Sequence, residues 1–274
     1  MAQAKQQRLA VALGGFGAVG KKVARCLDDG MAGLRLVAVS ARDKERAARE
    51  TAAFAAPVPV LGLDELAGVA DVVVECAPAH LLDTMAVPVL EAGKTLVVIS
   101  AAALIASDRL IDLAADRGAT IIVPSGALLG LDAVTAAAEG TIRSVRLITR
   151  KPVEGLAGAP HVMDQGIELD NLEAPLKLFQ GSARQAARGF PANLNVAAAL
   201  GLAGLGPDRT EVEIWADPGV TRNIHLIEVS SDSADFTMTI ENIPSQENPR
   251  TGKITALSVI AALRKLAGPL RMGT

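Results

Sequence analysis

The chain has no tyrosine, one tryptophan and five phenylalanines among 274 residues. The aromatic platforms on which single-stranded nucleic acid stacks are therefore not available in number. Charge of one sign is also missing. With 27 Lys and Arg against 30 Asp and Glu, the net charge of -3 provides neither a basic stripe for nucleic acid nor an acidic solvating tail. Two cysteines, Cys26 and Cys76, lie far apart in apolar segments, which argues against a disulfide framework or a cysteine zinc site and fits a reducing cytoplasm. No metal is expected. The uncharged stretch Thr95 to Ser107 falls short of the roughly 20 residues that span a bilayer as a helix, and no membrane segment is expected. Lys5 and Arg8 before Leu9-Ala-Val-Ala-Leu13 mimic the start of a signal peptide, but the glycine spacing that follows argues against one. What remains is a cytoplasmic chain whose expected partners are small molecules and other copies of itself.

Half of the residues are apolar, enough for a sizeable core that must be built from Ala, Val, Leu and Ile. Up to about Val123, short β-branched runs alternate with helical patterns. The runs are Leu9–Leu13, Arg35–Ser40, Val72–Cys76, Thr95–Ile99 and Thr120–Val123, with Val58–Val60 as a further short candidate. Helical patterns include Lys44–Phe54 and Leu81–Ala92. Near-continuous apolar strands separated by helices predict a parallel sheet covered on both faces. After Pro124 the texture changes. Ser144–Arg150, Glu211–Ala216, Asn223–Val229 and Asp235–Asn242 read as strands, the last three as an antiparallel meander packed against helices such as Asn193–Ala203. A terminal helix runs from about Pro249 to Ala267, with Asn248 as its cap. The fold class expected is α/β: a Rossmann-type doubly wound parallel sheet plus a second α+β domain with a largely antiparallel sheet. Residues 1–124 form the first domain, completed by the C-terminal segment 246–274, and residues 125–245 the second.

Gly15-Phe16-Gly17-Ala18-Val19-Gly20 has the spacing G-x-G-x-x-G between a strand and a helix. The first glycine permits the tight turn, the second lets backbone approach a pyrophosphate, and the third lets helix and strand pack closely. The helix N-terminus favours the phosphate charge. A nicotinamide dinucleotide is the expected cofactor. The second strand ends Ser40-Ala41-Arg42, where a carboxylate would favour an unmodified ribose; a hydroxyl and a guanidinium suit a 2′-phosphate and tilt the expectation to NADP over NAD. Asp43 could still reach a ribose, so use of both stays open. Cys76, Ala77 and Pro78 end one strand, and Ser100 and Ala101 the next, where the nicotinamide half lies in such sheets.

Only three histidines exist. His80 begins a helix, and His161 lies in the irregular stretch Gly155–Asp170, where no role is assigned to it. His225 interrupts the apolar strand Ile224-His225-Leu226-Ile227. Spacing alone leaves it either a satisfied core histidine or a catalytic one.

Five longer segments bear on the choice: Pro124-Ser-Gly-Ala-Leu-Leu-Gly-Leu-Asp132, Thr149-Arg-Lys-Pro152, Phe190-Pro-Ala-Asn-Leu-Asn-Val-Ala-Ala198, Ala216-Asp-Pro-Gly-Val-Thr-Arg-Asn-Ile-His225 and Glu241-Asn-Ile-Pro-Ser-Gln-Glu-Asn-Pro-Arg-Thr251. Together, in this order over nearly the whole chain, they resemble the L-aspartate dehydrogenase family. The resemblance implies a homodimer that interconverts L-aspartate with oxaloacetate and ammonia through iminosuccinate, using NAD or NADP. It implies that His225 is catalytic, that Ser125, Gly126 and Ala127 border the substrate, and that Asn193 and Asn195 lie near the cofactor amide or the substrate. The chain departs from the family pattern at Leu129-Gly130, at Gly252 and at Ala101-Ala-Ala-Leu104, which leaves hydride chemistry intact and bears on substrate choice. Rival readings are a related imine or oxo-acid reductase and a nucleotide-binding protein without catalysis. The reductase acting on dihydrodipicolinate relies on paired histidines, and no His-His pair exists here.

Overall fold

The computed structural model describes residues 8–106, 108–191, 194–247 and 251–273. The chain divides into two units. The first comprises residues 1–100, 107–124 and 256–272, and the second residues 101–106, 125–255 and 273–274.

In the first unit, β1 (Leu9–Gly14), β2 (Leu34–Ser40), β3 (Val72–Glu75), β4 (Thr95–Val98) and β5 (Thr120–Ile122) form a parallel sheet in the order β2-β1-β3-β4-β5. Helices Ala18–Asp28, Lys44–Thr51, Leu82–Glu91 and Arg109–Arg117 supply the crossovers. The expected strand at Val58–Val60 contracts to a single parallel bridge, Val39 to Val60, beyond β2. Counting that bridge as a rudimentary strand gives the strand order of a dinucleotide-binding sheet. Val11, Leu13, Val72, Val74 and Val97 are buried among Val23, Ala24 and Leu27 of the first helix, because strands covered on both faces need apolar residues at consecutive positions. Val259, Ile260 and Leu263 of the terminal helix Lys253–Ala267 join this core. Asn248 and Pro249, expected to cap that helix, lie outside the described residues.

In the second unit, β6 (Ile142–Lys151), β7 (Leu176–Ser182), β8 (Glu211–Ala216), β9 (Ile224–Ser231) and β10 (Asp235–Glu241) form one sheet in the order β10-β9-β6-β8-β7. Every pairing is antiparallel except β6 with β8. The expected three-strand meander is therefore corrected. β9 and β10 form a hairpin, but β6 lies between β8 and β9. Asp217 N–H donates to Lys151 C=O at 2.9 Å, so the turn after β8 crosses the end of β6 rather than folding back beside β8. β7 is a further correction, since nothing in the sequence marked it. It is an edge strand whose register slips between Lys177 and Phe179, which breaks the period-2 alternation. One face of the sheet buries Val145, Leu147, Val212, Ile214, Ile227 and Val229 against Ala183, Ala186, Val196, Ala197 and Leu200 of helices Ala183–Gly189 and Asn195–Ala203. Among the described residues no helix is long and apolar enough to cross a membrane.

Candidate active site

Gly15 follows β1 with φ +118, a conformation that L side chains rarely adopt, and a Cβ there would collide with the carbonyl oxygen of Cys76. A Cβ on Gly20 would collide with the carbonyl oxygen of Gly15. The fold itself requires both glycines. Gly17 differs: its φ is -90, and a Cβ would meet nothing within 4 Å. Gly17 is the N-cap of helix Ala18–Asp28, which has no side-chain cap and no acidic residue in its first turn. The helix therefore opens with its amide dipoles unopposed, the arrangement that receives an anion. Phe16 packs edge-on to Phe54 at 6.4 Å and carries the Lys21 ammonium over its ring at 5.5 Å. Ala18 and Val19 form the first helical turn.

Ser40 ends β2 buried, its carbonyl accepting Gly15 N–H at 3.0 Å. Arg42 is exposed. Asp43, the alternative ribose ligand, is engaged as the cap of helix Lys44–Thr51, accepting Arg46 N–H at 3.0 Å.

Glu75, which sequence reasoning missed, organises the neighbouring strand ends. It is fully buried at the end of β3 and accepts Ile99 N–H at 3.0 Å, Ser100 N–H at 2.8 Å and Ser100 Oγ–H at 3.0 Å, with a further backbone bond from Ala77. One carboxylate thus fixes Ala77 and Ser100, and with them Cys76 and Pro78. Burial raises its pKa above the ordinary carboxylate value, against the lowering effect of those donors. An acidic residue closing the run Val72-Val-Val74 was the available signal. Glu75→Gln places an amide donor among these N–H groups and is expected to lower stability by about 1–3 kcal/mol in thermal unfolding. Because the folded carboxyl binds its proton more tightly than the unfolded one, its contribution falls as pH rises from the ordinary carboxylate range to the raised value. The variant should lose that component. An unchanged melting temperature and pH profile would remove the anchoring role. The Cys76 thiol is pushed well up by burial and by Glu75, which suits packing rather than nucleophilic chemistry.

In the second unit the apolar face of the sheet turns polar at one end. Thr149 on β6 pairs across the ladder with His225 on β9, and Thr149 Oγ1 lies 2.8 Å from His225 Nδ1. The two residues are 0 % and 1 % exposed. Burial first, then the charge of Lys151, lowers the His225 pKa to about 3. His225 is therefore neutral at physiological pH. A hydroxyl can donate to or accept from Nδ1, so Thr149 fits either tautomer without forcing the imidazolium, as a carboxylate partner would.

Asn195, expected near the cofactor or substrate, accepts Ala102 N–H through Oδ1 at 3.1 Å. It thereby holds the short helix Ala101–Leu104 within the second unit. The Ser125-Gly126-Ala127 loop, expected to border the substrate, is half-buried, with Gly126 at φ +64. Ala127 C=O accepts Asn242 Nδ2–H at 2.9 Å. Asn242 Oδ1 is buried with no hydrogen-bond partner among the described residues, and a Cβ on Gly252 would lie 3.1 Å from it. Asn193 lies outside the described residues.

The other histidines separate from this cluster. His80 is exposed in the 3-10 turn Ala79–Leu81, not in the helix proper. His161 is not in irregular chain but in helix Pro160–Asp164, where Nε2 meets Leu178 C=O at 3.1 Å and the ring packs on Phe179 and Phe190. Its role is packing. Among the described residues no group of three or more His, Cys, Asp or Glu could hold a metal ion.

The family described as "Aspartate dehydrogenase, C-terminal" matches residues 132–266, and "Homoserine dehydrogenase, NAD binding domain" matches residues 15–124. An L-aspartate dehydrogenase of Bradyrhizobium diazoefficiens is 55% identical over 272 residues, covering 99% of this chain and 96% of that protein. L-aspartate dehydrogenase 3 of Bordetella bronchiseptica is 56% identical over 270 residues, covering 98% and 99%. The crystal structure of aspartate dehydrogenase from Thermotoga maritima superposes with a TM-score of 0.74 at 25% identity, covering 97% of this chain and all of that one.

Proposed function

Because this chain belongs to the L-aspartate dehydrogenase family, we propose that it oxidises L-aspartate to iminosuccinate, which water converts to oxaloacetate and ammonia, and that it runs the reverse amination. The observation that carries the chemical reading is a neutral, buried His225 held through Nδ1 by Thr149.

The open space at Gly17 and the uncapped start of the following helix fit a dinucleotide pyrophosphate. When bound, the nicotinamide dinucleotide supplies the hydride acceptor. His225 takes a proton from the substrate ammonium so that the nitrogen lone pair can drive hydride loss from the α-carbon. It releases that proton to solvent and then takes one from the water that attacks the imine carbon. One neutral imidazole, held through Nδ1 and accepting through Nε2, serves both steps in turn. Asn242 Oδ1, a buried acceptor whose amide nitrogen is tied to Ala127, suits a substrate N–H donor.

NADP is the preferred cofactor in this reading, supported by the exposed Arg42 beyond β2 and by the engagement of Asp43 as a helix cap. The homodimer and cytoplasmic setting that the resemblance implies belong to the same proposal. Oxaloacetate plus ammonia, and other oxo acids, should be assayed by the absorbance of NADH and NADPH. Turnover with oxaloacetate and a kcat/KM at least several-fold higher with NADPH are expected, with the preference reduced in Arg42→Ala. Turnover of another oxo acid only would overturn the substrate, and better efficiency with NADH would overturn the cofactor.

A further inference from the structure

Two buried side-chain polar atoms lack a hydrogen-bond partner among the described residues, Arg146 Nε and Asn242 Oδ1. They differ in kind. The other two nitrogens of Arg146 donate to Glu228 at 3.1 Å and Glu213 at 2.6 Å, so its Nε is the idle edge of a guanidinium already neutralised. Asn242 is 4 % exposed, and nothing compensates its Oδ1. Its orientation is settled, because Ala127 C=O can only accept and therefore faces Nδ2–H, at 2.9 Å. A buried carbonyl oxygen left bare costs stability and calls for a reason outside packing.

The sheet sets that oxygen beside the base. Ile240 on β10 faces His225 on β9, and Asn242 N–H donates to Asn223 C=O at 2.8 Å, which carries the register two residues further. Asn242 therefore stands on the His225 face as its diagonal neighbour, with Cα atoms about 7–8 Å apart. One substrate atom at hydrogen-bond distance from each side chain can bridge that separation. On its other flank Gly252 keeps Oδ1 clear, since a Cβ there would lie 3.1 Å from it.

We propose that Asn242 is the residue that selects nitrogen over oxygen at the reacting carbon. The assignment rests on the reading of His225 as the base. Two acceptors, His225 Nε2 and Asn242 Oδ1, then face the same substrate atom. An amino group satisfies both. His225 removes one proton from the ammonium, and as hydride leaves the α-carbon for the nicotinamide the C–N bond becomes an iminium that still carries two N–H groups, one of them on Oδ1. The positive charge that develops on nitrogen strengthens this bond, so Oδ1 favours the transition state over the ground state. A hydroxyl brings one proton only. Once His225 has taken it, the oxygen that becomes a carbonyl has nothing to donate, and its lone pairs lie against those of Oδ1. In the reverse direction the same opposition keeps oxaloacetate from being reduced to the hydroxy acid before ammonia has added.

The test follows both products, aspartate and malate, formed from oxaloacetate and NADPH with and without ammonia. The parent should consume NADPH only when ammonia is present. Asn242→Ala should lower aspartate formation roughly 10- to 150-fold, the effect of removing a hydrogen bond to a charged group, without lowering malate formation. That variant also loses the bond to Ala127, whereas Gly252→Ser leaves it in place. The serine hydroxyl, on a Cβ 3.1 Å from Oδ1, occupies the acceptor from within the protein and should cost about tenfold or more in the same direction. Aspartate formation within about twofold of the parent in either folded variant, or malate and aspartate formation falling together, overturns the assignment. So does a parent that forms malate as readily as aspartate at saturating ammonia, a measurement independent of whether the variants fold. A parent with no ammonia-dependent turnover defeats the proposed function and this assignment with it. Ammonia-dependent turnover that both variants leave unchanged defeats the assignment alone.

Discussion

His225→Ala is expected to lower kcat by roughly 100- to 10,000-fold, the usual worth of a positioned general base, while reduced dinucleotide still binds with its fluorescence change intact. The expectation rests on the Thr149 contact at 2.8 Å and on the burial of a neutral ring where the apolar face of the sheet turns polar. Turnover within about threefold of the parent would remove His225 from the chemistry. The substitution should also alter acid stability, with a definite sign. The folded imidazole titrates at about 3, below its ordinary value of 6.5, so the unfolded chain binds the proton first as pH falls. Stability that is fully present above about 6.5 is therefore lost on the way down towards 3, and the alanine variant should show a flatter acid limb.

Two glycines of one turn should respond in opposite ways. Gly17→Ala adds a methyl group where the protein offers no neighbour within 4 Å, at a φ that alanine tolerates. Its melting temperature should match the parent, while dinucleotide affinity falls at least about tenfold because the backbone can no longer approach a pyrophosphate. Gly15→Ala combines a positive φ with a collision on Cys76 C=O. The strain alone is worth about 1–3 kcal/mol, so this variant should melt lower whether or not cofactor is present. Dinucleotide titrations and thermal unfolding of both variants decide the matter. Gly17→Ala binding as tightly as the parent would show that this turn does not hold the pyrophosphate.

The parallel half of the fold was legible because its signals are local. An apolar run such as Leu9–Leu13, a glycine turn and an amphipathic helix lie consecutively, and each supports the next. The second sheet was less legible. Its strands were mostly recognised, but the order was not, since β8 and β9 are neighbours in sequence yet are separated by β6, which arrives about 60 residues earlier. β7 escaped because a register slip and exposed polar residues hide the alternation. The residues of the polar clusters were hidden for a related reason. Glu75 and Thr149 acquire their character from burial and from partners on other strands, and no spacing along the chain records either. His225 stood out by contrast, because an imidazole inside Ile224-His225-Leu226-Ile227 breaks the pattern of its own strand.

The terminal helix, whose Val259, Ile260 and Leu263 complete the first core, bears on the order in which the protein can be made. Residues up to 124 are synthesised well before residues 256–272, so the apolar surface that Val259, Ile260 and Leu263 bury stays open until then. The dinucleotide-binding unit therefore cannot finish folding until that helix has been made. A nascent chain stalled near Gly252 would expose that surface, so the interval before the helix emerges carries a risk of misassociation.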